Sequence, residues 1–325
     1  MSNFQRLLVG MAAAFGVIFS AGSFGAQVYP NRPIRVVVGF PPGGAVDFIA
    51  RLVAQNFSEK FGQPVVVENR PGAGSSIGTE RVARSAPDGH TLLLMAISGV
   101  VQAVLRDDLP YNLQRDLAPI SLIAIGQFVL AVHPAVAARN VTELVALARA
   151  QPGKMSYSAS GKGDSSHLAA ELFALRAEIK LLHVPYRGSA EAVVATAAAQ
   201  VPISFTSLAG AVALIDAGKL RPLAVSSSRR ASLLPSIPTL DESGLTGYDY
   251  STWYGMLAPA GTNKSILEML SVAVGQAARI ATIKEALLRQ GFDPHTNTPE
   301  QFSAFIQKEI EQNRQLIKTA GVTSG

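Results

Sequence analysis

Apolar and polar positions along the chain follow a strand-then-helix order. Runs of β-branched and other apolar residues, typical of buried strands, alternate with segments whose apolar residues recur every three or four positions, as on one face of a helix. The first series predicts strands at 34–38, 65–67 and 92–95 and helices at 47–61 and 77–85. Because strands alternate with helices, we expect an α/β fold with a mainly parallel sheet covered on both faces.

The same order recurs in the second half of the chain. Its predicted strands are 155–160, 181–184, 202–206 and 223–226, and its predicted helices are 166–175, 190–200 and 209–217. Three helical patterns follow, with no strand predicted between them, at 264–279, 283–290 and 299–318. The chain therefore contains two α/β units followed by a helical tail.

Two extended apolar stretches, 121–133 and 250–259, belong to neither series. Each lies at an edge of the second series, so we interpret them as two crossings between two domains, which together form a hinge. The predicted domains are 27–126 plus 254–325, and 127–253, with a ligand cleft between them. The alternative of two sequential domains is less favoured, because no Pro/Gly/Ser-rich linker precedes the second series.

The first 26 residues have the pattern of a secretory signal peptide. Arg6 is followed by an apolar stretch over 7–21 and then by small residues at 23–26. The apolar stretch is shorter than the roughly 20 residues that a membrane span needs, so a retained anchor is the less favoured alternative. We expect an exported protein that works in the periplasm.

Composition excludes several classes of protein. A length of 325 residues with 48% hydrophobic residues is enough for a large core and about two domains. The absence of cysteine excludes disulfides, thiolate nucleophiles and Cys-ligated metals. The net charge of +5 is dispersed, whereas nucleic-acid binding needs clustered Lys and Arg. The five histidines lack metal-ligand spacing, so we predict no metal and no cofactor.

A Gly-rich loop between the first strand and the first helix is the first candidate site. Glycines let a ligand approach backbone N–H groups, and a helix N-terminus attracts anions. Asp47 is placed to cap the helix. The candidate ligand-binding residues here are Phe40, Pro42, Gly43, Gly44, Ala45 and Asp47. Taken alone, the pattern is also compatible with a simple tight turn.

The second α/β unit has a similar loop after its first strand, and Ser165 or Ser166 can cap the helix that follows. Its candidate residues are Ser160, Gly163, Asp164, Ser165, Ser166 and His167. The glycine spacing fits neither a P-loop nor a dinucleotide fingerprint. Two such helix starts facing each other across a cleft would hold a small anion through backbone contacts. Tyr186 and Arg187, after the next strand, can lie near the same cleft.

The pattern G-x-S-x-G at 74–78 leaves an enzyme as an alternative. A nucleophile elbow needs its serine on the turn directly after a strand, and here Pro71 and several further residues precede Ser76. An exported serine hydrolase is therefore the less favoured hypothesis.

Seven segments together resemble the Bug family, the periplasmic receptors of tripartite tricarboxylate transporters. The segments are 29–35, 40–47, 67–74, 86–93, 165–172, 183–188 and 253–262. The resemblance implies a type II periplasmic-binding-protein fold whose two domains close over a small carboxylate. It also implies that backbone amides in the loops matching 40–47 and 160–167 hold one carboxylate group.

The resemblance further implies a receptor that is not an enzyme and that delivers its ligand to membrane transporter subunits. Ser98, Tyr186 and Thr206 complete the predicted ligand-binding set. Thr206 stands where many family members carry Asp, which argues against an amino-acid ligand and favours a dicarboxylate, tricarboxylate or aromatic carboxylate. We expect a monomer. A receptor that feeds a signalling partner instead of a permease remains an alternative.

Overall fold

A computed structural model describes residues 29–186 and 188–323, so the predicted signal peptide and Arg187 lie outside the described residues. The strands are β1 (Ile34–Val38), β2 (Val65–Asn69), β3 (Thr91–Ala96), β4 (Leu117–Val132), β5 (Ser156–Ala159), β6 (Leu182–Pro185), β7 (Ile203–Ser207), β8 (Arg221–Val225), β9 (Ser251–Pro259) and β10 (Phe292–Pro294). The helices are α1 (Ala45–Phe61), α2 (Ser76–Ala83), α3 (Ile97–Leu105), α4 (Leu113–Asp116), α5 (Val141–Ala150), α6 (Ser165–Ala177), α7 (Ser189–Ala197), α8 (Leu208–Asp216), α9 (Lys264–Ala277), α10 (Ala281–Arg289) and α11 (Pro299–Ala320).

The strands form one curled mixed sheet in the order β2-β1-β3-β9-β4-β7-β5-β6, with β8 and β10 also paired to β4. Pairing is parallel around β1 and around β5, as predicted. Every pairing of β4 and β9 is antiparallel, so the expectation of a mainly parallel sheet is wrong at the centre. The reason is connectivity: β4 leads the chain from one flank to the other, and β9 starts the return.

The long strand β4 joins the two flanks of the sheet. Its first part pairs with β9, from Leu117 opposite Pro259 to Gln127 opposite Ser251. Its last five residues, from Phe128 onward, pair with β7. The two apolar stretches interpreted as crossings therefore lie side by side where the flanks meet. The domain boundaries themselves remain a prediction.

The three C-terminal helices occur as predicted, but β10 lies between the last two, which corrects the expectation of an uninterrupted helical tail. Its three residues pair with Ala124–Gly126 of β4, and so short a strand has no recognisable hydrophobic period. Helices α3 and α5 were not predicted. Helix α3 follows β3 without a Gly or Pro that would mark the change of structure.

Helix α11 packs along the crossing. A capping box at Thr298 starts the helix, and the Nε1–H of Trp253 donates to Glu309 at 2.9 Å. The ring of Phe302 lies against Gly255, where an added Cβ would be 2.2 Å from the ring. Only glycine fits at that position of β9. Trp253 is buried in this contact.

Large apolar clusters cover the two faces of the sheet. Among the described residues, no single helix is long and apolar enough to cross a membrane. Helices α9 and α10 together have sufficient length and apolar composition, but a 75° bend separates them.

Candidate functional site

Four helices begin at the carboxyl ends of strands that run towards the middle of β4, two strands from each flank of the sheet. Helices α1, α3, α6 and α8 follow β1, β3, β5 and β7. The first turn of a helix has N–H groups without backbone acceptors and carries a partial positive charge. Open α/β sheets bind ligands at the carboxyl ends of their strands. The sequence pattern identified the starts of α1 and α6 as candidate sites and predicted α8 as a helix, but it missed α3.

The first loop, residues 40–47, presents free backbone donors. Helix α1 begins after Gly44, and no side chain caps it. The N–H groups of Ala45 and Val46 have no acceptor among the described residues. Gly43 has φ +87°, and nothing lies within 4 Å of where its Cβ would be. Phe40 is half-buried and Pro42 is exposed, so the loop leaves room for a ligand.

Asp47 supports this loop from inside the helix, which corrects its predicted role as the cap. Its carboxylate is 3% exposed and accepts from the Gly43 N–H at 3.0 Å, from Arg51 at 2.9 Å and from Asn69 at 2.9 Å. Burial alone would raise the pKa of Asp47, but these hydrogen bonds hold it below its usual range. A direct ligand contact of this carboxylate stays a prediction.

A tight turn supports the first loop from behind. A Cβ on Gly39 would lie 2.6 Å from the Cβ of Ser75, so the end of β1 packs directly on residues 73–76. Ser75 has φ +82°, a region rarely occupied by residues other than glycine. The buried hydroxyls of Ser75 and Ser76 have no hydrogen-bond partner among the described residues.

This environment does not fit a serine hydrolase. A nucleophilic serine needs a general base within hydrogen-bond reach. Ser76 lies on the first residue of α2, and its hydroxyl contacts no histidine or carboxylate in the described part of the chain.

The second loop, residues 160–167, is closed by its own side chains. Asp164 caps α6 and accepts from the Ser166 N–H at 3.4 Å, which corrects the expectation that Ser165 or Ser166 is the cap. These serines are already helical, whereas Asp164 is extended, as a cap must be. Ser166 instead accepts from the Ser160 N–H at 3.0 Å.

His167 lies beneath this loop in a stack of rings. Its Nδ1 accepts from the Gly163 N–H at 3.1 Å, and its ring centroid is 4.1 Å from that of His183. Burial, followed by the nearby His183 and Lys162, lowers the pKa of His167 to about 4. The ring is therefore neutral at pH 7. The sequence could not show this stack, because His167 lies on α6 and His183 on β6.

Ser98 and Thr206 lie at the other two helix starts. Ser98 is the second residue of α3, and Thr206 precedes the residue that caps α8. Both hydroxyls are buried without a partner among the described residues. Buried polar groups nearly always have partners, so these two are candidates for hydrogen bonds to a ligand or to water. Tyr186 is half-buried at the end of β6, and its N–H donates to the Ala159 carbonyl at 3.1 Å.

The two flanks of the sheet touch beside the second loop. A Cβ on Gly163 would lie 2.6 Å from Cδ1 of Leu105, at the end of α3. A second contact joins Ser232 to Asp293 at 3.0 Å. The structure thus brings the second loop against the flank that carries the first loop.

A cavity of about 470 Å³ lies where β1, β2 and β3 begin, at the ends of these strands that are far from the first loop. Four arginines line it, at positions 32, 35, 81 and 84, and three of them are paired with acidic residues: Arg32 with Asp88, Arg35 with Glu68, and Arg84 with Glu80. This cavity is an alternative candidate for an anion site, which the dispersed sequence positions did not reveal. The described residues include no group of three or more metal-ligating side chains.

Comparisons with known proteins agree with this geometry. The family model of the tripartite tricarboxylate transporter family receptor matches residues 49–322. Protein BugT of Bordetella pertussis is 35% identical over 321 residues, which cover 98% of each chain.

Two solved structures are similar over nearly their whole length. A protein of R. palustris with adipate has a TM-score of 0.84 and 30% identity, over 91% of this chain and 99% of that one. MatC from Rhodopseudomonas palustris with bound malate has a TM-score of 0.79 and 27% identity, over 89% of this chain and 100% of that one. The chain therefore belongs to the tripartite tricarboxylate transporter receptors, the Bug family of periplasmic solute-binding proteins.

Proposed function

We propose that this receptor captures a small carboxylate between the first and second loops and delivers it to the membrane subunits of a tripartite transporter. The observation that carries the proposal is that the uncapped start of α1 and the closed loop of α6 both follow strands that run towards the middle of β4, from opposite flanks of the sheet. Capture would involve closure about the crossing of β4 and β9. The protein would act in the periplasm as a monomer that is not an enzyme.

The chemistry of the first loop suits a carboxylate. A buried carboxylate is costly unless several donors satisfy it, and donors to a charged group form the stronger hydrogen bonds. The free N–H groups of Ala45 and Val46 and the partial positive charge at the start of α1 supply that environment without an arginine. We propose that the predicted residues of both loops line the binding site.

The other end of the ligand would meet uncharged hydroxyls. Ser98 and Thr206 can each donate one hydrogen bond and accept others. A hydroxyl at position 206 cannot neutralise an ammonium group, so we propose a dicarboxylate, tricarboxylate or aromatic carboxylate and not an amino acid. The adipate and malate in the two similar structures support a dicarboxylate.

The test combines calorimetry and thermal unfolding of the mature protein with a panel of monocarboxylates, dicarboxylates, tricarboxylates, aromatic carboxylates and amino acids. Thr206→Val removes an unsatisfied buried hydroxyl and keeps the shape of the side chain. We expect it to lower affinity five- to tenfold, about 1.0 to 1.4 kcal/mol, while the ligand-free melting temperature stays equal or rises.

Arg81→Ser is the matched control, because Arg81 lines the opposite cavity and has no ion pair in the described structure. It should leave affinity unchanged. Loss of binding in Arg81→Ser but not in Thr206→Val would move the anion to the arginine-lined cavity and contradict the proposal. So would stabilisation by neutral solutes alone.

A hydrolase would behave differently. We expect no ester turnover by the purified protein and no effect of Ser76→Ala on ligand affinity beyond about twofold. Turnover that disappears in Ser76→Ala would overturn the assignment as a receptor. Capture of transporter subunits from membranes, compared with capture of signalling proteins in the presence and absence of ligand, separates transport from signalling.

A further inference from the structure

The rings beneath the second loop form a continuous stack. His167 stacks on His183 with centroids 4.1 Å apart, and His183 stacks on Tyr157 at 5.1 Å. The Tyr157 hydroxyl donates to Oε1 of Glu171 at 2.6 Å. His167 is 5% exposed, so most of its surface faces protein and not the cleft. A direct ligand contact does not account for this placement.

The geometry determines which nitrogen of His167 carries the proton. A backbone N–H can only donate, so Nδ1, which accepts from the Gly163 N–H, must be unprotonated. The proton is then on Nε2, which lies 3.6 Å from Oε1 of Glu171. A doubly protonated ring has no acceptor and would lose the bond to Gly163.

Two side chains of α6, those of His167 and Ser166, hold the two ends of one short segment, residues 160–163. His167 holds Gly163 through its Nδ1, and the His183 ring stacks on the ring of His167. The Ser160 N–H is in turn bound by Ser166. The shape of the segment therefore depends on groups beneath it as well as on its single turn bond, from Asp164 to Gly161.

The position of Gly163 also affects how the two flanks meet. Its φ of +76° is one that only glycine adopts easily, and its Cα faces Leu105 of the other flank. A shift of Gly163 would change this contact, which lies beside the candidate site. Holding Gly163 in place therefore affects both the loop and its approach to the first loop.

We propose that His167 is a positioning residue for ligand capture: its unprotonated Nδ1 holds the Gly163 N–H and so sets the loop that closes on the carboxylate. The inference rests on the proposed function. The role that it adds does not require His167 to touch the ligand. Lys162, Glu171, His183 and Tyr157 are the ionisable groups facing this ring, and Lys162 and His183 both oppose its protonation.

Two variants of His167 isolate the acceptor. In His167→Asn, the side-chain oxygen stands at nearly the position of Nδ1, whereas His167→Leu has a similar shape without an acceptor. Both lose the ring and its stacking. With adipate and malate as probes at pH 7.5, we expect His167→Leu to bind at least tenfold more weakly and His167→Asn to stay within about threefold of the parent. Equal losses in the two variants would overturn the proposal, as would no loss in either.

A measurement without ligand keeps this test separate from the proposed function. The amide hydrogen of Gly163 should exchange with solvent at least tenfold faster in His167→Leu than in the parent and in His167→Asn, as measured by NMR. If the parent binds no carboxylate, the proposed function fails, and the exchange rates still decide the positioning role. Unchanged exchange in His167→Leu would refute that role even if all carboxylates bind as expected.

The pH profile supplies a third readout. Acid should weaken binding by the parent more than binding by His167→Asn, because only the parent can protonate the acceptor that holds Gly163. The ratio of their affinities cancels the titration of the ligand itself. A ratio that stays constant from pH 7.5 to pH 3.5 would contradict the proposal.

Discussion

The first and second loops occupy equivalent places after parallel strands, yet they are stabilised differently. In the first loop, a buried carboxylate, Asp47, is paired with Arg51, and the amides at the start of α1 stay free. In the second loop, side chains use up the local donors: Asp164 caps α6, and His167 binds the Gly163 N–H. The first loop thus leaves donors free for the proposed anion, whereas the second uses its donors to keep a defined shape.

The largest loss of stability should come from removing the Asp47 carboxylate, which is the charged support of the first loop. Asp47→Ala leaves the Arg51 guanidinium, the Gly43 N–H and the Asn69 amide without their shared acceptor. We expect the free energy of unfolding to fall by about 2 to 3 kcal/mol, as measured by urea denaturation. Asp47→Asn, which keeps one acceptor, should lose less. Equal stability of Asp47→Ala and the parent would show that the network does not support the loop.

Substituting alanine for a glycine in each loop separates the cost of backbone strain from the cost of a steric contact. Gly43 and Gly163 both have positive φ, but only Gly163 faces a neighbour, Leu105. We expect Gly163→Ala to cost about 2 kcal/mol of stability and Gly43→Ala about 1 kcal/mol. Leu105→Ala should recover part of the cost in Gly163→Ala and none in Gly43→Ala. Thermal unfolding of the three single and two double variants checks this comparison.

Acid should affect the second loop before the first. The fold lowers the pKa of His167 from 6.5 to about 4, so the unfolded chain binds more protons between these values. Stability attributable to His167 is therefore complete above pH 6.5 and is lost as the pH falls towards 4.

We expect the parent to lose about 1 kcal/mol more stability than His167→Asn between pH 7 and pH 5, after allowance for solvent screening. The Asp47 carboxyl has a pKa below its usual value, so its contribution persists in that range and is lost only at lower pH. Thermal unfolding measures the stability of the parent and of His167→Asn against pH. Identical profiles would show that acid does not affect the second loop before the first.

The smallest effect concerns the hydroxyl inside the second loop. Ser166→Ala removes the acceptor of the Ser160 N–H, and we expect a loss of about 0.5 to 1 kcal/mol. The measurement is urea denaturation, with Ser265→Ala on α9 as an exposed control. A loss above about 3 kcal/mol would mean that the hydroxyls, and not His167, are the main support of this loop.

The site was predictable where a strand, a Gly-rich loop and a helix follow each other in sequence. That order predicted loops at 40–47 and 160–167 between a strand and a helix, where the structure has them, and their contact with a ligand stays a prediction. It failed for the cap of α6, because Asp164, Ser165 and Ser166 are all good capping residues and only the backbone shows which one is extended. It also gave no sign of α3, whose first turn places Ser98 among the buried hydroxyls without partners.

The sequence by itself determined the α/β class, the two Gly-rich helix starts and the apolar crossing segments, because hydrophobic period and glycine placement are local properties. The tertiary structure decided which side chains support each loop. Arg51 meets Asn69, and His167 meets His183, only because in each pair a helix packs against a strand that is distant in sequence. It also decided the antiparallel centre of the sheet, because strand direction depends on where the chain crosses and returns. Long-range contacts, which no local pattern encodes, are the physical reason for that division.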